Sequence, residues 1–255
     1  MDQTKKYGFM PGCSLSAYNP KWVLAITEHL KESFKDFSLV HTCCGKPTIS
    51  IGQEAAFDQR FSLLEDKLNQ MSIDILIVAC QNCKKTISTY KNSNVEIISL
   101  WEVLPKIGLP KEMIGKGKDS QRVFTIHDSC PTRFDKPLQD GVRWIVKELG
   151  YKVIESEESR EKTRCCGSGG MVLTVNPELG KKIAKRRIDS LVSDDVIVYC
   201  ASCRGALLTG KTRTWHLLDL IFGQVATEEN LPKDPLASPL KAWGNRWKTK
   251  KLLKI

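Results

Sequence analysis

Residues 42–46 read Thr-Cys-Cys-Gly-Lys, and residues 164–168 read Arg-Cys-Cys-Gly-Ser. Each Cys-Cys-Gly sequence lies between a lone cysteine upstream and a Cys-x-x-Cys motif downstream. The intervals between these motifs are 29 and 35 residues in the first half of the chain, and 34 and 33 in the second. A five-cysteine pattern that occurs twice at similar intervals indicates an internal duplication. The ten cysteines are Cys13, Cys43, Cys44, Cys80 and Cys83, then Cys130, Cys165, Cys166, Cys200 and Cys203.

The sequence around the cysteines repeats as well. Tyr7-Gly-Phe-Met-Pro-Gly-Cys13 corresponds to Phe124-Thr-Ile-His-Asp-Ser-Cys130, and Ile98 to Leu104 corresponds to Trp215 to Ile221. We therefore predict a first unit at residues 1–110 and a second at 121–224, joined by a Gly- and Lys-rich linker at 108–119. A basic tail with two tryptophans is predicted at 225–255.

Short aliphatic and β-branched runs alternate with amphipathic segments. They predict an α/β fold of two tandem Rossmann-like units, each with a small parallel sheet. The cysteines follow the predicted strands, which places them at the C-terminal strand edges, where open parallel sheets bind ligands. The predicted strands are 7–10, 38–40, 73–79, 95–100, 122–127, 151–155 and 196–199, and the predicted helices are 20–37, 53–69, 137–149 and 177–192.

Five thiolates per unit point to a metal cluster. They exceed the four ligands of a structural zinc site, and a multi-iron cluster accommodates adjacent cysteines better than a single ion does. Gly45 and Gly167 follow the Cys-Cys pairs and are predicted to bring backbone N–H groups close to inorganic sulfide. The alternatives are buried structural thiols, a strained disulfide at the vicinal pair, and a zinc-stabilised scaffold. A dinucleotide loop at Gly167–Gly170 is disfavoured, because these glycines follow a Cys-Cys pair and open no strand–helix turn.

The pattern resembles the cysteine-rich CCG domain, and two tandem copies resemble the B-type subunit of heterodisulfide reductase. The resemblance covers roughly residues 6–224. It implies that each unit's five cysteines hold a noncubane [4Fe-4S] cluster, giving two clusters per chain. The interval of 29 residues after Cys13 lies at the short edge of the family pattern.

The resemblance also implies a reaction, the reduction of a mixed disulfide. Cleaving a small disulfide substrate takes two electrons, and two clusters can supply one each. No ferredoxin-type cysteine run is present in the sequence, so the expected partners are a ferredoxin-like iron–sulfur subunit and a flavoprotein subunit. The alternative is a non-catalytic electron-transfer subunit of a lactate-, glycolate- or glycerol-phosphate-type oxidoreductase complex.

Several residues near the cysteines are weaker candidates. His127 and Asp128 precede Cys130 and are candidates for hydrogen bonding to the site or for protonating a leaving thiolate, and a structural role for the histidine is the alternative. His41 is a weaker candidate of the same kind. Five cations flank cysteines and are candidates for balancing the cluster charge or binding an anionic substrate, or are ordinary surface charges. They are Lys46, Lys84, Lys85, Arg164 and Arg204.

Composition and charge limit the classes of protein to which the chain can belong. The chain has 255 residues, 41% hydrophobic and 27% charged, which is ordinary for a globular protein, and a formal net charge of +10. No nucleic-acid-binding motif is recognised, and the basic run 181–187 keeps the spacing of an amphipathic helix. The sequence contains no apolar run long enough for a membrane span and no signal-like start, so a cytoplasmic location is expected. Trp243 and Trp247 share a helical face in the tail, which is suited to docking a partner subunit or an acidic surface, to weak membrane contact, or to packing on the core.

Overall fold

The described part of the chain contains eight short strands in two parallel sheets. The structure is a computed structural model that describes residues 1–208, 212–230, 232 and 238–254. The strands are β1 (Tyr7–Met10), β2 (Phe37–Leu39), β3 (Ile75–Val78), β4 (Glu96–Ser99), β5 (Val123–His127), β6 (Lys152–Val153), β7 (Asp195–Val198) and β8 (Arg213–His216).

Twelve α-helices occur among the described residues, together with four short 3₁₀ turns. The helices are α1 (Cys13–Tyr18), α2 (Pro20–Ser33), α3 (Lys46–Ser50), α4 (Glu54–Gln70), α5 (Gln81–Tyr90), α6 (Leu100–Ile107), α7 (Lys136–Glu148), α8 (Val172–Val175), α9 (Pro177–Asp189), α10 (Ala201–Leu207), α11 (Leu217–Phe222) and α12 (Pro239–Leu253). No helix in these described segments is both long enough and apolar enough to cross a bilayer.

The two sheets have the same topology. The strand order is β2-β1-β3-β4 in one and β6-β5-β7-β8 in the other, and every neighbouring pair is parallel. The second order follows from the first when four is added to each strand number, as expected for a duplicated chain. The predicted α/β class with two tandem, Rossmann-like units is thereby confirmed.

Local sequence explains where the helices begin. Asn19, Asp135 and Asn176 each precede a helix that has proline in its first turn, and each side chain accepts a hydrogen bond from a backbone N–H of that turn. The prediction that α2 runs to residue 37 is wrong. The helix ends at Ser33 because Phe34 adopts an extended conformation and Phe37 begins β2.

The strand β8 is not predicted by the sequence pattern. Its sequence, Arg-Thr-Trp-His, contains no aliphatic residue and therefore lacks the signal that marks the other strands. It pairs with β7, and Trp215, Thr214 and His216 are all buried. Its first-unit counterpart is β4, which carries two isoleucines and is predicted.

The chain divides into two compact units, one of residues 1–107 with 235–255 and the other of residues 108–234. The segment 108–119 is hydrogen-bonded to the second unit. The Gly115 N–H donates to the Glu148 carbonyl at 2.7 Å, and the Lys116 Nζ donates to the Ile221 carbonyl at 2.8 Å. In the first unit, helix α12 packs against α1 and α2.

A buried carboxylate, that of Asp195, forms ion pairs with two arginines and links three strands of the second unit. Asp195, at the start of β7, accepts hydrogen bonds from Arg122 just before β5 and from Arg213 on β8, at 2.8–3.1 Å. The side chains of Asp195 and Arg122 are 6% and 4% exposed. Burial favours the neutral acid, but hydrogen bonds from Arg213 and Arg122 prevail and lower the pKa of Asp195.

We expect Asp195→Asn to lower the free energy of unfolding by about 3 kcal/mol, because it removes the only buried carboxylate among the described partners of Arg122 and leaves that arginine with the exposed Glu228. Asp189→Asn removes an exposed partner of Lys185 and should cost about 0.5 kcal/mol or less. Urea denaturation under anaerobic conditions measures both. Since the folded-state pKa lies below the ordinary 3.8, the Asp195 contribution should be present above about pH 4 and decline as the pH falls below it. Equal losses in the two variants would contradict this account.

Candidate metal centre

The C-terminal edge of each sheet gathers the five cysteines of its unit. In the first unit, Cys13 begins α1 shortly after β1, the Cys43–Cys44 pair follows β2, and Cys80 is the N-cap of α5 after β3. The Cys83 side chain lies in the first turn of α5. In the second unit, Cys130 begins a 3₁₀ turn after β5, Cys200 is the N-cap of α10, and Cys203 lies in the first turn of that helix. Each Cys-x-x-Cys motif is therefore a strand-to-helix junction.

In both units the five cysteines form a buried inner trio and a more exposed outer pair. Inner sulfurs come close together: Cys44 and Cys83 Sγ are 3.3 Å apart, and Cys166 and Cys203 Sγ are 3.2 Å apart. The first trio is packed among aliphatic and aromatic side chains of the core, and the second among aliphatic ones. The inner trios are Cys44, Cys80, Cys83 and Cys166, Cys200, Cys203; the outer pairs are Cys13, Cys43 and Cys130, Cys165.

The first cysteine of each Cys-Cys pair has the character of a thiolate. A hydrogen bond from the Cys13 thiol and the N–H of Gly45 lower the pKa of Cys43. Hydrogen bonds from the Cys130 and Cys166 thiols, and the N–H groups of Gly167 and Gly169, lower the pKa of Cys165. Thiolates are the form in which cysteine binds metals.

Gly45 and Gly167 hold these sulfurs through their backbone. Both have a left-handed φ, +73° and +89°, and their N–H groups donate to the Sγ atoms of Cys43 and Cys165 at 3.4 and 3.3 Å. A Cβ at Gly45 would lie 2.7 Å from the Phe57 ring, and one at Gly167 would lie 2.5 Å from a helix carbonyl. The glycines are therefore needed for a turn that directs N–H groups at sulfur in a space that a side chain would fill.

Two buried nitrogen groups of the second unit point to a negatively charged occupant. Arg187, which is 0% exposed, donates from Nε to Nδ1 of His127 at 3.0 Å. Burial and the Arg187 charge lower the pKa of His127 to about 3, so the neutral ring carries its proton on Nε2. Neither the His127 Nε2 nor the Arg187 Nη2 finds an acceptor among the described residues. His127 lies within a group whose ligand atoms, with those of Cys166 and Cys203, all fall within 4.8 Å of one another.

Asp128 is an anchor for the loop that carries Cys130. Its carboxylate accepts both Nη groups of Arg143 at 2.8 Å, the Tyr199 hydroxyl at 3.1 Å and the Arg160 N–H at 2.6 Å. Burial favours the protonated acid, but the Arg143 hydrogen bonds outweigh it and lower the pKa of Asp128. The alternative of Asp128 as a proton donor is therefore not favoured. The first unit has Pro11 at the equivalent position.

The cations that follow the Cys-x-x-Cys motifs are paired with acids. Lys84 lies 2.9 Å from Glu102, and Arg204 lies 3.6 Å from Asp219. Both acids also accept a backbone N–H at the start of the next helix, from Ser99 and His216. The expectation that Lys84 and Arg204 balance cluster charge is thus not supported by their contacts, since each is neutralised by its own acid.

Cavities lie on the outer side of both cysteine pairs. One of about 220 Å³ has Cys13, Cys43, His41 and Lys250 in its lining. In the second unit, a cavity of about 500 Å³ is lined by Cys165. Four cations and one acid line that second cavity: Arg133, Lys162, Arg164, Arg186 and Glu161.

These features fit an iron–sulfur cluster in each unit. The sulfurs converge from three loops, the inner three are removed from water, and glycine N–H groups point at sulfur. In the second unit, the free donors on His127 and Arg187 match an anionic cluster with sulfide acceptors.

The comparisons with known proteins agree with this geometry. Residues 7–88 and 124–208 match the CCG cysteine-rich domain, so the chain belongs to the CCG cysteine-rich domain family. It is similar to an iron–sulfur protein of Methanocaldococcus jannaschii (28% identity over 63% of this chain and 32% of that protein). It is also similar to the D-type subunit of dihydromethanophenazine:CoB–CoM heterodisulfide reductase of Methanosarcina mazei (23% identity over 80% of this chain and 53% of that one).

A third relative is the EtfAB:quinone oxidoreductase of Syntrophomonas wolfei, 29% identical over 61% of this chain and 22% of that protein. The chain thus spans about a fifth to a half of the length of these relatives. It is related to iron–sulfur oxidoreductase subunits. The Methanosarcina relative is the D-type subunit of its reductase, whereas the cysteine pattern resembles the B-type, and in both cases the chain is similar to a heterodisulfide reductase component.

Several residues of the site are not identified from the sequence. Arg187 lies in the basic run 181–187, which is interpreted above as a solvated helix face, yet it is fully buried against His127. Tyr199 and Arg143 organise Asp128 through contacts between distant segments. One feature of the sequence could have revealed the burial of Arg187. It lies three residues after Ala184, a spacing that places both residues on the buried face of α9.

We expect Gly167→Ala to reduce the iron content to about half of the wild-type value, because the added Cβ displaces the loop that carries Cys165. Gly170→Ala is the matched control. Gly170 also has a left-handed φ, +62°, but a Cβ there meets nothing within 4 Å. It should cost about 1 kcal/mol and retain the iron. Iron analysis of both purified variants measures the effect, and equal iron contents would refute the steric explanation.

A His127→Leu substitution should lower the reduction potential of an iron–sulfur cluster held by the second unit by an amount on the order of tens of millivolts, because an N–H donor near sulfur is lost. Met10 occupies the equivalent position at the end of β1, so Met10→Leu is the control and should leave that potential unchanged. Redox titration followed by electron paramagnetic resonance (EPR) measures the potential in each variant. A similar shift in the two variants would show that the imidazole has no specific role.

Proposed function

We propose that the chain is the disulfide-reducing subunit of an iron–sulfur oxidoreductase, with one noncubane [4Fe-4S] cluster per unit. The observation that carries the proposal is a cavity open to solvent beside the outer cysteines of each unit. Cys13 and Cys43 line one of about 220 Å³ in the first unit, and Cys165 lines one of about 500 Å³ in the second. A site that only passes electrons to another protein has no need of such a cavity. A small substrate does need one.

The ligands are the cysteines already described. Cys13, Cys43, Cys44, Cys80 and Cys83 would hold the first cluster, and Cys130, Cys165, Cys166, Cys200 and Cys203 the second. When bound, each cluster would supply one electron at a time and an iron open to a thiolate. The protein part would fix the ligands, keep water from the inner sulfurs and place N–H donors near the charge.

The reaction is balanced by two electrons and two protons. A disulfide RS–SR′ accepts both electrons, its S–S bond breaks, and each sulfur takes a proton to give RSH and R′SH. The electrons would come from a partner, and the resemblance to heterodisulfide reductases suggests a ferredoxin-like iron–sulfur subunit and a flavoprotein. His127, with its proton on Nε2 and a pKa lowered to about 3, is suited to donating a hydrogen bond at the second site.

The alternative function is electron transfer without a substrate, as a subunit of a larger complex. The similarity to an EtfAB:quinone oxidoreductase supports this possibility. The two functions differ in one respect that can be measured. A disulfide-reducing site must bind a thiol or disulfide at the cluster, whereas an electron-transfer subunit has no such requirement.

Chain purified without oxygen should contain about eight irons and little zinc, as two four-iron clusters require. With reduced methyl viologen as donor, it should cleave dithiodiglycolate, measured by viologen oxidation and thiol release. Cys13→Ser and Cys130→Ser should each lose about half of the iron and all of the cleavage activity, because both clusters are needed for a two-electron reaction.

Other outcomes separate the alternatives. Zinc in place of iron would identify a zinc scaffold. Full iron with no disulfide cleavage and no change of the EPR signal on adding thiols would favour the electron-transfer subunit. Cleavage that persists in both serine variants would exclude a mechanism that uses two clusters.

A further inference from the structure

The C-terminal helix α12 turns polar residues toward the first unit. The Thr249 hydroxyl, which is fully buried, donates to the Ser16 carbonyl at 3.0 Å, and the Asn245 Nδ2 donates to the Ala17 carbonyl at 2.8 Å. Both carbonyls belong to the last turn of α1, which has no further turn to satisfy them. These hydrogen bonds fix the rotation of α12 about its axis and therefore decide which of its residues face outward.

The outer face of α12 carries the largest apolar side chains of the helix. Leu240 is 84% exposed, and Trp243 and Trp247 are 69% and 67% exposed, so the two tryptophans do not pack on the core. The three residues follow one another at intervals of three and four positions and therefore form a row on one side of the helix. This is the reverse of an ordinary surface helix, whose apolar side faces the core. An exposed apolar row of this kind marks an interaction surface.

Exposed lysines accompany this apolar row along the helix. Lys251 lies four residues after Trp247, and its Nζ is 5.5 Å from the centre of the Trp247 ring. Residues 238–255 contain no aspartate or glutamate, so no acid of the helix offsets the positive charge. The surface therefore attracts a negatively charged partner. The exposed lysines are Lys241, Lys248, Lys250 and Lys251.

The kind of cation on this face favours a lipid surface over a protein partner. Protein interfaces are enriched in tryptophan and arginine and depleted in lysine. The one arginine of α12, Arg246, donates from Nε to the Cys13 carbonyl at 3.3 Å, so the exposed cations of the helix are all lysines. Tryptophan is enriched where a membrane meets water, and the long lysine stem can contact apolar surface while its ammonium stays among the headgroups. A Trp and Leu row accompanied by lysines is thus complementary to an anionic bilayer.

We propose that the outer face of α12 binds the surface of an anionic lipid bilayer, with Leu240, Trp243 and Trp247 at the level of the headgroups and the lysines beside lipid phosphates. The binding is peripheral, because one side of the helix contacts lipid while the other stays hydrogen-bonded to α1. It places the helix that begins at Cys13 directly behind the membrane contact. The interaction goes beyond the proposed function, since it uses none of the cysteines.

The test is flotation of the whole chain, purified without oxygen, with lipid vesicles in a density gradient at low ionic strength. Vesicles that contain phosphatidylglycerol should carry the chain upward. Vesicles of phosphatidylcholine alone should bind it about tenfold more weakly or less, because they lack the net negative charge. Added salt should weaken the binding to the anionic vesicles, since it screens exposed charges.

One pair of variants tests the lysines. The double variant Lys248→Gln, Lys251→Gln should weaken binding to the anionic vesicles by about tenfold or more, because each lysine near an anionic surface contributes about fivefold. The matched control is Lys181→Gln, Lys182→Gln, which removes the same charge from exposed positions of α9 and should change the binding by about twofold or less.

A second pair of variants tests the apolar row. The double variant Trp243→Ser, Trp247→Ser should also weaken binding by about tenfold or more, because the apolar area that enters the bilayer is lost. The matched control is Leu63→Ser, Phe134→Ser, which removes two exposed apolar side chains that lie outside α12 and should leave the binding unchanged. All the substituted side chains are exposed, so each variant should keep the iron content of the wild-type chain, and iron analysis checks that it is folded.

The inference is overturned if the chain does not float with anionic vesicles, or if a control pair weakens binding as much as the corresponding α12 pair does. Fluorescein-labelled polyglutamate, followed by anisotropy, offers the charge of an acidic protein without a lipid phase. If it binds as tightly as the anionic vesicles do, the occupant of the face is an acidic protein and the lipid assignment is wrong. Flotation does not depend on turnover, so a chain that floats without cleaving disulfides keeps this inference, and a chain that cleaves them without floating refutes it alone.

Discussion

Three cysteine sulfurs in each unit are buried in the apolar core, within 3.2–3.3 Å of one another in the closest pairs. As thiolates they would repel one another in a medium of low dielectric, and such charges are costly to bury without a counter-charge. The burial therefore favours a positively charged metal core. The rest of each unit serves this arrangement: the parallel sheet places three loops at one edge, and the helices after them begin at the cysteines.

The duplication preserves this framework but not its surroundings. Both units keep the sheet order, the Cys-Cys-Gly turn and the ion pair after Cys-x-x-Cys. The second unit supports its first cysteine with a buried network around Asp128, and it places His127 and Arg187 beside the inner sulfurs. The first unit has Met10 and Pro11 at the positions of His127 and Asp128, and it supports its first cysteine through the C-terminal helix α12 instead. Two sites with the same cysteine pattern thus differ in the charged and hydrogen-bonding groups around their sulfurs.

The cysteine framework and the α/β class were predictable because they depend on short-range patterns. The cysteine intervals repeat, and aliphatic runs mark most of the strands. The features that the sequence did not reveal depend on contacts between residues that are far apart in the chain. Arg187 has the sequence of a solvated helix position, and its partner His127 lies 60 residues away. Thr249 contacts Ser16 across 233 residues, and no local pattern indicates such a pairing.

The contacts of individual cations explain part of the net charge of +10. Some cations, such as Lys84, Arg204 and Arg122, are neutralised by acids within the fold. Others lie beside the cysteines: Arg187 is buried next to the second set, and Arg246 and Lys250 lie at the first. A four-iron core bound by five thiolates would carry a net negative charge of about three, and such cations would lower the free-energy cost of holding it. Two cations of the basic C-terminal helix, Arg246 and Lys250, then belong to the electrostatics of the first site.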